Sequence, residues 1–308
     1  MKVRYLLSNF LLAAGLTVVL FMNPACVAAQ DRSAINELET RPVHEPPLMG
    51  IHWAREFAHT ARPHRSPNMI WHSGSIMQDS AVRVIFWGTK WGSGNYVVDK
   101  VSGLSDFYQG FSKSNYAATS DEYTGTNGQV GSSNSYLGYF IDSSQASGGS
   151  QTSAILAEVC RVIPSPTSNG YYPVYTDIKR GNAGYCAWHS YGTCGGIPVQ
   201  FAFFFDLDND PGCDPQDTKT NHSQGLAALA NVSAHELSEA RTDPRNGGWY
   251  DAQGNENGDK CAWTFNVPYV TFSNGSIWKV QGEWSNAAYN AGLGYPNNSG
   301  QRGCLDGH

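Results

Sequence analysis

The sequence has no basic run and little charge of either sign. Asp, Glu, Lys and Arg make up 15% of its 308 residues, and the formal net charge is -6. Without a positive stripe to meet phosphates, nucleic acid is a poor partner. No Cys-x-x-Cys pair occurs, which removes zinc ribbons and thioredoxin-like redox sites. A Gly-x-Ser-x-Gly elbow and a phosphate loop are also missing, and with them the commonest signatures of serine hydrolases and nucleotide enzymes. There is no internal repeat, and past the first 22 residues no stretch is apolar enough to span a bilayer.

What is present first is an export pattern. Lys2 and Arg4 precede an apolar stretch, Leu6 to Met22, and Val27-Ala28-Ala29 before Gln30 is a small-residue cleavage site. Ser8 and Asn9 leave Phe10–Met22 too short for a spanning helix. Residues 1–29 are therefore expected to be a cleavable signal peptide, placing the chain in a secreted, extracellular or periplasmic compartment, with no membrane partner after cleavage. Of the 7 cysteines, Cys26 lies in that signal. The even remainder, Cys160, Cys186, Cys194, Cys213, Cys261 and Cys304, predicts three disulfides whose pairing the spacing leaves open.

Residues 30–67 are polar, proline-bearing and aperiodic, and read as a flexible leader or propeptide. They hold His44, His52, His59 and His64 but no cysteine. From about residue 68 to 308 one domain is expected. Ala81–Gly88 is a β-branched and aromatic run, hence an interior strand, and Ile197–Leu207 is a second. Helices are expected near Val97–Phe111, over Thr152–Arg161 and over Gly225–Arg241, the last stopped by Asp243-Pro244. Ser112–Gly149 reads as irregular loops with short strands. Asn274-Gly275 between two short runs predicts a hairpin with positive φ in its turn. The fold class expected is α+β, a single domain with a mixed or antiparallel sheet around a central helix, stapled by disulfides.

That helix contains His235-Glu236-Leu237-Ser238-Glu239. His235 and Glu239, four residues apart, project from one face a turn apart. Two ligands at that spacing with a glutamate between them form the zincin pattern, here with Glu in place of the second His. His235 and Glu239 would hold a metal and Glu236 would act as general base. A polar i,i+4 pair on a helix surface gives the same letters. Glu256 and Asp259, 17 and 20 residues beyond Glu239, stand where thermolysin-type zincins take a third ligand from a second segment. Either could bind the metal and the other orient His235. An Asx-rich turn explains the same stretch. One histidine with two carboxylates makes an anionic site, for which zinc is the first expectation and calcium a further one. Acids also alternate at Asp206-Leu207-Asp208-Asn209-Asp210, a weak calcium-loop pattern that reads better as a solvated turn.

Several of these motifs together resemble the EXORDIUM-like (phosphate-induced) protein family. They are His235-Glu236-Leu237-x-Glu239, Thr242-x-Pro244, Trp249-Tyr250 and Glu256-x-x-Asp259-x-Cys261. Trp71-His72-Ser73-Gly74, Cys186-Ala187-Trp188-His189, Val280-Gln281 and Trp284-Ser285-Asn286 fall in the same order. Asn257-Gly258 departs from the family pattern, as do Ala187 and Trp188. The resemblance implies an extracellular, often wall-associated protein and no established reaction. It adds His189 and His72 as outer candidates, His189 as an oxyanion-stabilising catalytic residue or a third nitrogen ligand.

Two functions are expected from these residues. The first is a secreted zincin-like metallohydrolase acting on a peptide or protein substrate. The second is a non-catalytic extracellular protein with a structural ion, holding polysaccharide through exposed aromatics.

Overall fold

The computed structural model describes residues 45–58 and 67–308. The expected signal peptide, 1–29, and much of the expected leader lie outside the described residues. The fold is α+β with a mixed six-stranded sheet. Its strands are β1 (Met49–Trp53), β2 (Ser80–Trp87), β3 (Asn134–Asp142), β4 (Gly170–Lys179), β5 (Tyr185–Cys194) and β6 (Ile197–Asp206). The spatial order is β1-β5-β6-β4-β2-β3. Pairings within β3-β2-β4-β6 are parallel, whereas β5 joins β6, and β1 joins β5, antiparallel.

Local sequence accounts for the central strands. β2 and β6 are rich in Val, Ile and Phe and buried on both faces, as expected of interior strands. β4 and β5 were not anticipated. β5 is buried on both faces over Tyr185–Ser190, so it lacks the alternation that betrays a half-exposed strand. The Ser112–Gly149 stretch also holds a full edge strand, β3, whose side chains are dispersed among Ser, Gly and Asn.

Three main helices pack on this sheet: α1 (Lys100–Phe111), α2 (Thr152–Val162) and α3 (Gln224–Thr242). All were legible from periodicity. Ser223 caps α3, its hydroxyl accepting from the Leu226 amide, and Asp243-Pro244 follows its end. The hairpin pairs Val270–Thr271 with Ile277–Trp278, and Gly275 alone takes positive φ there.

Three disulfides staple the fold. Cys160–Cys194 ties α2 to the end of β5, Cys186–Cys213 ties β5 to the loop after β6, and Cys261–Cys304 anchors the turn after Asp259. Among the described residues, no helix is long and apolar enough to cross a membrane.

The described part of the expected leader is no flexible segment. Met49–Trp53 is an edge strand of the main sheet, fixed by pairing with residues 132 to 140 positions later. That pairing is a tertiary effect, which the aperiodic, proline-bearing local sequence does not signal.

Candidate metal centre

From Gly225 to Thr242, α3 is buried on every side. A helix wrapped in this way is ordinarily apolar, yet this one carries Asn231, Ser233, His235, Glu236, Ser238, Glu239, Arg241 and Thr242. Each buried polar group needs a partner, since an unpaired one costs about 1–3 kcal/mol and a charge more. Several have theirs. Asn231 accepts from the Gln281 amide, and Ser233 bonds to Tyr175 and the Leu229 carbonyl. Arg241 donates to the carbonyls of Ala117 and Gly131. Asn231 Nδ2 and Ser238 Oγ lack partners, and the densest deficit falls at one place. His235 Nε2, both oxygens of Glu236 and Glu239 Oε2 are buried without a hydrogen bond of good geometry, as are both ring nitrogens of His189 and Glu256 Oε2.

These orphan atoms converge. Glu239 Oε2 is the hub, 3.1 Å from His235 Nε2 and 3.8 Å from His189 Nε2. Glu256 Oε1 lies 3.4 Å from His189 Nε2, and Asp259 Oδ1 lies 3.7 Å from His235 Nε2. For bonds of about 2.0–2.1 Å, neighbouring ligands of tetrahedral zinc stand roughly 3.3 Å apart, and the cluster is spaced accordingly. Two overlapping sets, His189 with Glu236 and Glu239 and His235 with Glu239 and Asp259, each bring their ligand atoms within 4.8 Å of one another. The other oxygens hold the frame: Glu239 Oε1 accepts from the Asp259 amide, and Asp259 Oδ2 from the Glu256 amide.

The electrostatics would suit a cation. Burial, and then the neighbouring acids, drive the Glu236, Glu256 and Asp259 carboxyls well above their ordinary range. Glu239 is raised by burial and by Asp243. The nearby bases are committed elsewhere: Lys260 to Asp251 at 2.7 Å and Arg241 to Asp121 at 3.5 Å. Burial, followed for His189 by the charge of His235, pushes both imidazoles down to about 3. They are therefore neutral at ordinary pH, the state that ligates a metal. Neutral nitrogens, crowded carboxylates and orphaned lone pairs fit a divalent cation.

Four residues of the site escaped sequence reasoning. His52 on β1 is fully buried, packs edge-on against His235 with ring centroids 4.3 Å apart, and meets Gln281 Oε1 at 3.0 Å. Gln281 Nε2 lies 2.8 Å from the Gly258 carbonyl and 3.1 Å from His235 Nδ1. The Gln281 Nε2 amide can only donate, so in this arrangement His235 Nδ1 is its acceptor, and Gln281 holds the plane of the ring. Gly50 and Gly258 let backbone approach the cluster. A Cβ on Gly50 would overlap Glu239 Oε2 and the His189 ring, and one on Gly258 would press on His235. The only advance signal was Val280-Gln281 in the family-like pattern.

All six sequence candidates, His235, Glu236, Glu239, Glu256, Asp259 and His189, meet in this cluster. His72 does not. It stacks on Tyr250 at the surface, ring centroids 3.5 Å apart. The acidic loop also lies apart, and its carboxylates are neutralised by bases. Asp206 pairs with Lys179 at 3.1 Å, Asp208 with Lys100 at 2.5 Å, and Asp210 with Arg180 at 2.6 Å. That arrangement corrects the calcium-loop pattern to an ion-paired turn, tethered through Cys213. Comparison with protein-family models and with curated proteins gives no match for this chain.

Proposed function

We propose that the protein is a secreted metallohydrolase, related in design to zincins and acting on peptide bonds. Export is supported by the three disulfides together with the N-terminal signal pattern. The observation that carries the catalytic reading is Glu236. It is wholly buried beside the ligand cluster, with no cationic partner and no hydrogen bond of good geometry, the His52 amide alone being turned towards it. A structural ion site needs ligands and satisfied neighbours. An additional buried carboxylate without a counter-ion is a cost that a proton-transfer role explains.

In this reading His235, His189 and Glu239 hold the metal and leave its fourth position open, with Glu256 Oε1 beside His189 at 3.4 Å. Asp259 fixes the turn that presents Glu256 and faces His235. Zinc is the first choice for two imidazoles and carboxylates at this spacing. When bound, it would polarise a carbonyl and acidify water. Glu236, its proton affinity raised by burial and by Glu239, is suited to take a proton from the attacking water and return it to the leaving amine. Gln281 orients His235.

The second reading, a structural ion in a non-catalytic extracellular protein, draws on one observation: His189, His235, Glu236 and Glu239 are all inaccessible. One experiment separates the two. The zinc-loaded chain should cleave members of a broad peptide library, and Glu236→Gln should keep its metal while losing at least about 100-fold in rate, the scale of general-base catalysis. Metal retention with no wild-type hydrolysis would favour the structural ion.

A further inference from the structure

The burial of the cluster has an identifiable cause. β1 lies antiparallel along the outer edge of β5, Met49 opposite His189 and His52 opposite Ala187. Three residues of β1 thus span two of β5, which is a bulge, and Gly50 occupies it with φ of 46°. The bulge carries the backbone onto the metal cluster, where no residue with a side chain fits. The Gly50 carbonyl is turned towards the His235 ring and the His52 amide towards Glu236. A peptide thus lies across the site with its carbonyl on the ligand side and its N–H on the side of the proposed base.

We propose that the outer edge of β5 is a strand-addition site for an extended polypeptide with glycine at the metal-facing position, and that Met49–Trp53 is its resident occupant, which a substrate must displace. The proposal rests on the metal-centre reading above and adds its substrate class. Strand addition recognises backbone through the ladder and side chains through alternate pockets. Met49 and His52 are buried while Ile51 and Trp53 are half-buried, so two pockets flank the glycine.

The mooring of β1 is non-covalent. No disulfide reaches it, whereas Cys186 fixes β5 and Cys261 fixes the Glu256–Asp259 turn. Its holdfasts flank the cluster as well as meeting it: the Ser190 hydroxyl on the Pro47 carbonyl at 2.6 Å, the Thr152 hydroxyl on the Pro46 carbonyl at 2.6 Å, Arg180 on Glu56 at 2.9 Å, Trp263 Nε1 on the Trp53 carbonyl at 2.8 Å and His52 on Gln281 at 3.0 Å. A strand held in this way can leave while the stapled site remains.

The test uses the full chain loaded with zinc and a fluorescent synthetic peptide of residues 45–58. Gly50→Val should unseat β1, because its side chain meets Glu239 and His189. The variant should then bind the peptide at least tenfold more tightly than the wild type, whose edge is filled. The same peptide carrying valine for glycine should not bind. Hydrogen exchange should show β5 amides exposed in Gly50→Val and protected again by the peptide. A folded Gly50→Val chain that keeps β1 protected or ignores the peptide overturns the proposal. Thr152→Ala, on α2, loosens β1 without touching strand or cluster, and should raise peptide binding in the same direction. If neither variant folds, β1 is a strand that the fold requires and the proposal falls. Peptide binding tests strand addition whether or not the peptide is cleaved, and hydrolysis of the peptide library tests the hydrolase, so the two failures are distinguishable.

Discussion

Two acid-rich segments of this chain look alike in sequence and differ in the fold. In the Asp206–Asp210 loop each aspartate faces a lysine or arginine, at 2.5 to 3.1 Å. In the α3 centre, Glu236, Glu239, Glu256 and Asp259 face two neutral imidazoles and one another. The loop has supplied its own counter-ions and has no need of a metal. The centre has committed its nearby bases to Asp251 and Asp121, and its carboxylates remain short of positive charge. Metal competence therefore lies less in the spacing of acids than in the absence of partnered bases around them.

Breaking the centre should have the largest effect. Glu239→Gln neutralises the carboxylate whose Oε2 lies within 3.8 Å of both imidazoles, and zinc affinity by competitive chelator titration should fall beyond the 10- to 100-fold typical of an outer-sphere loss. Next comes Gln281→Leu, which takes the orienting amide from His235 and should cost about 10- to 100-fold in the same titration. A smaller effect is expected with pH. The imidazoles, held near 3, contribute stability above about pH 6.5 that is lost as pH falls. The raised carboxylates act oppositely, contributing stability at low pH that is lost as pH rises. Above about pH 6.5 only the carboxylates still change. The metal-free chain should therefore show a Tm that declines from about pH 6.5 to 8.5, and zinc should flatten that slope in scanning calorimetry. The smallest effect on metal binding belongs to the loop. Asp208→Asn should leave zinc affinity unchanged while costing about 1–3 kcal/mol of stability by denaturant titration, because Lys100 is buried and loses its partner.

The half of the centre that lies on local structure was legible in advance. Four-residue spacing on a helix puts His235 and Glu239 together whatever surrounds them, and Glu256 and Asp259 sit on one tight turn. The three main helices and the β2 and β6 strands follow from periodicity and β-branched runs. The rest depends on contacts made across the chain. His52 and Gly50 come from a segment whose own letters look like a leader, and only pairing with β5 makes it a strand. Gln281 was visible as part of a resemblance, but its role as the amide joining His52, Gly258 and His235 exists only after folding. The acidic loop reads as a turn from its letters, but the bases that pair with its acids are visible only in the fold.

The most direct measurement is the metal content of the purified full chain by mass spectrometry, beside the His235→Ala, Glu236→Gln and Asp208→Asn variants. The account predicts close to one divalent transition metal per chain in the wild type, loss of it in His235→Ala, and retention in the other two. A wild-type chain without metal, or one whose metal survives His235→Ala, would contradict it.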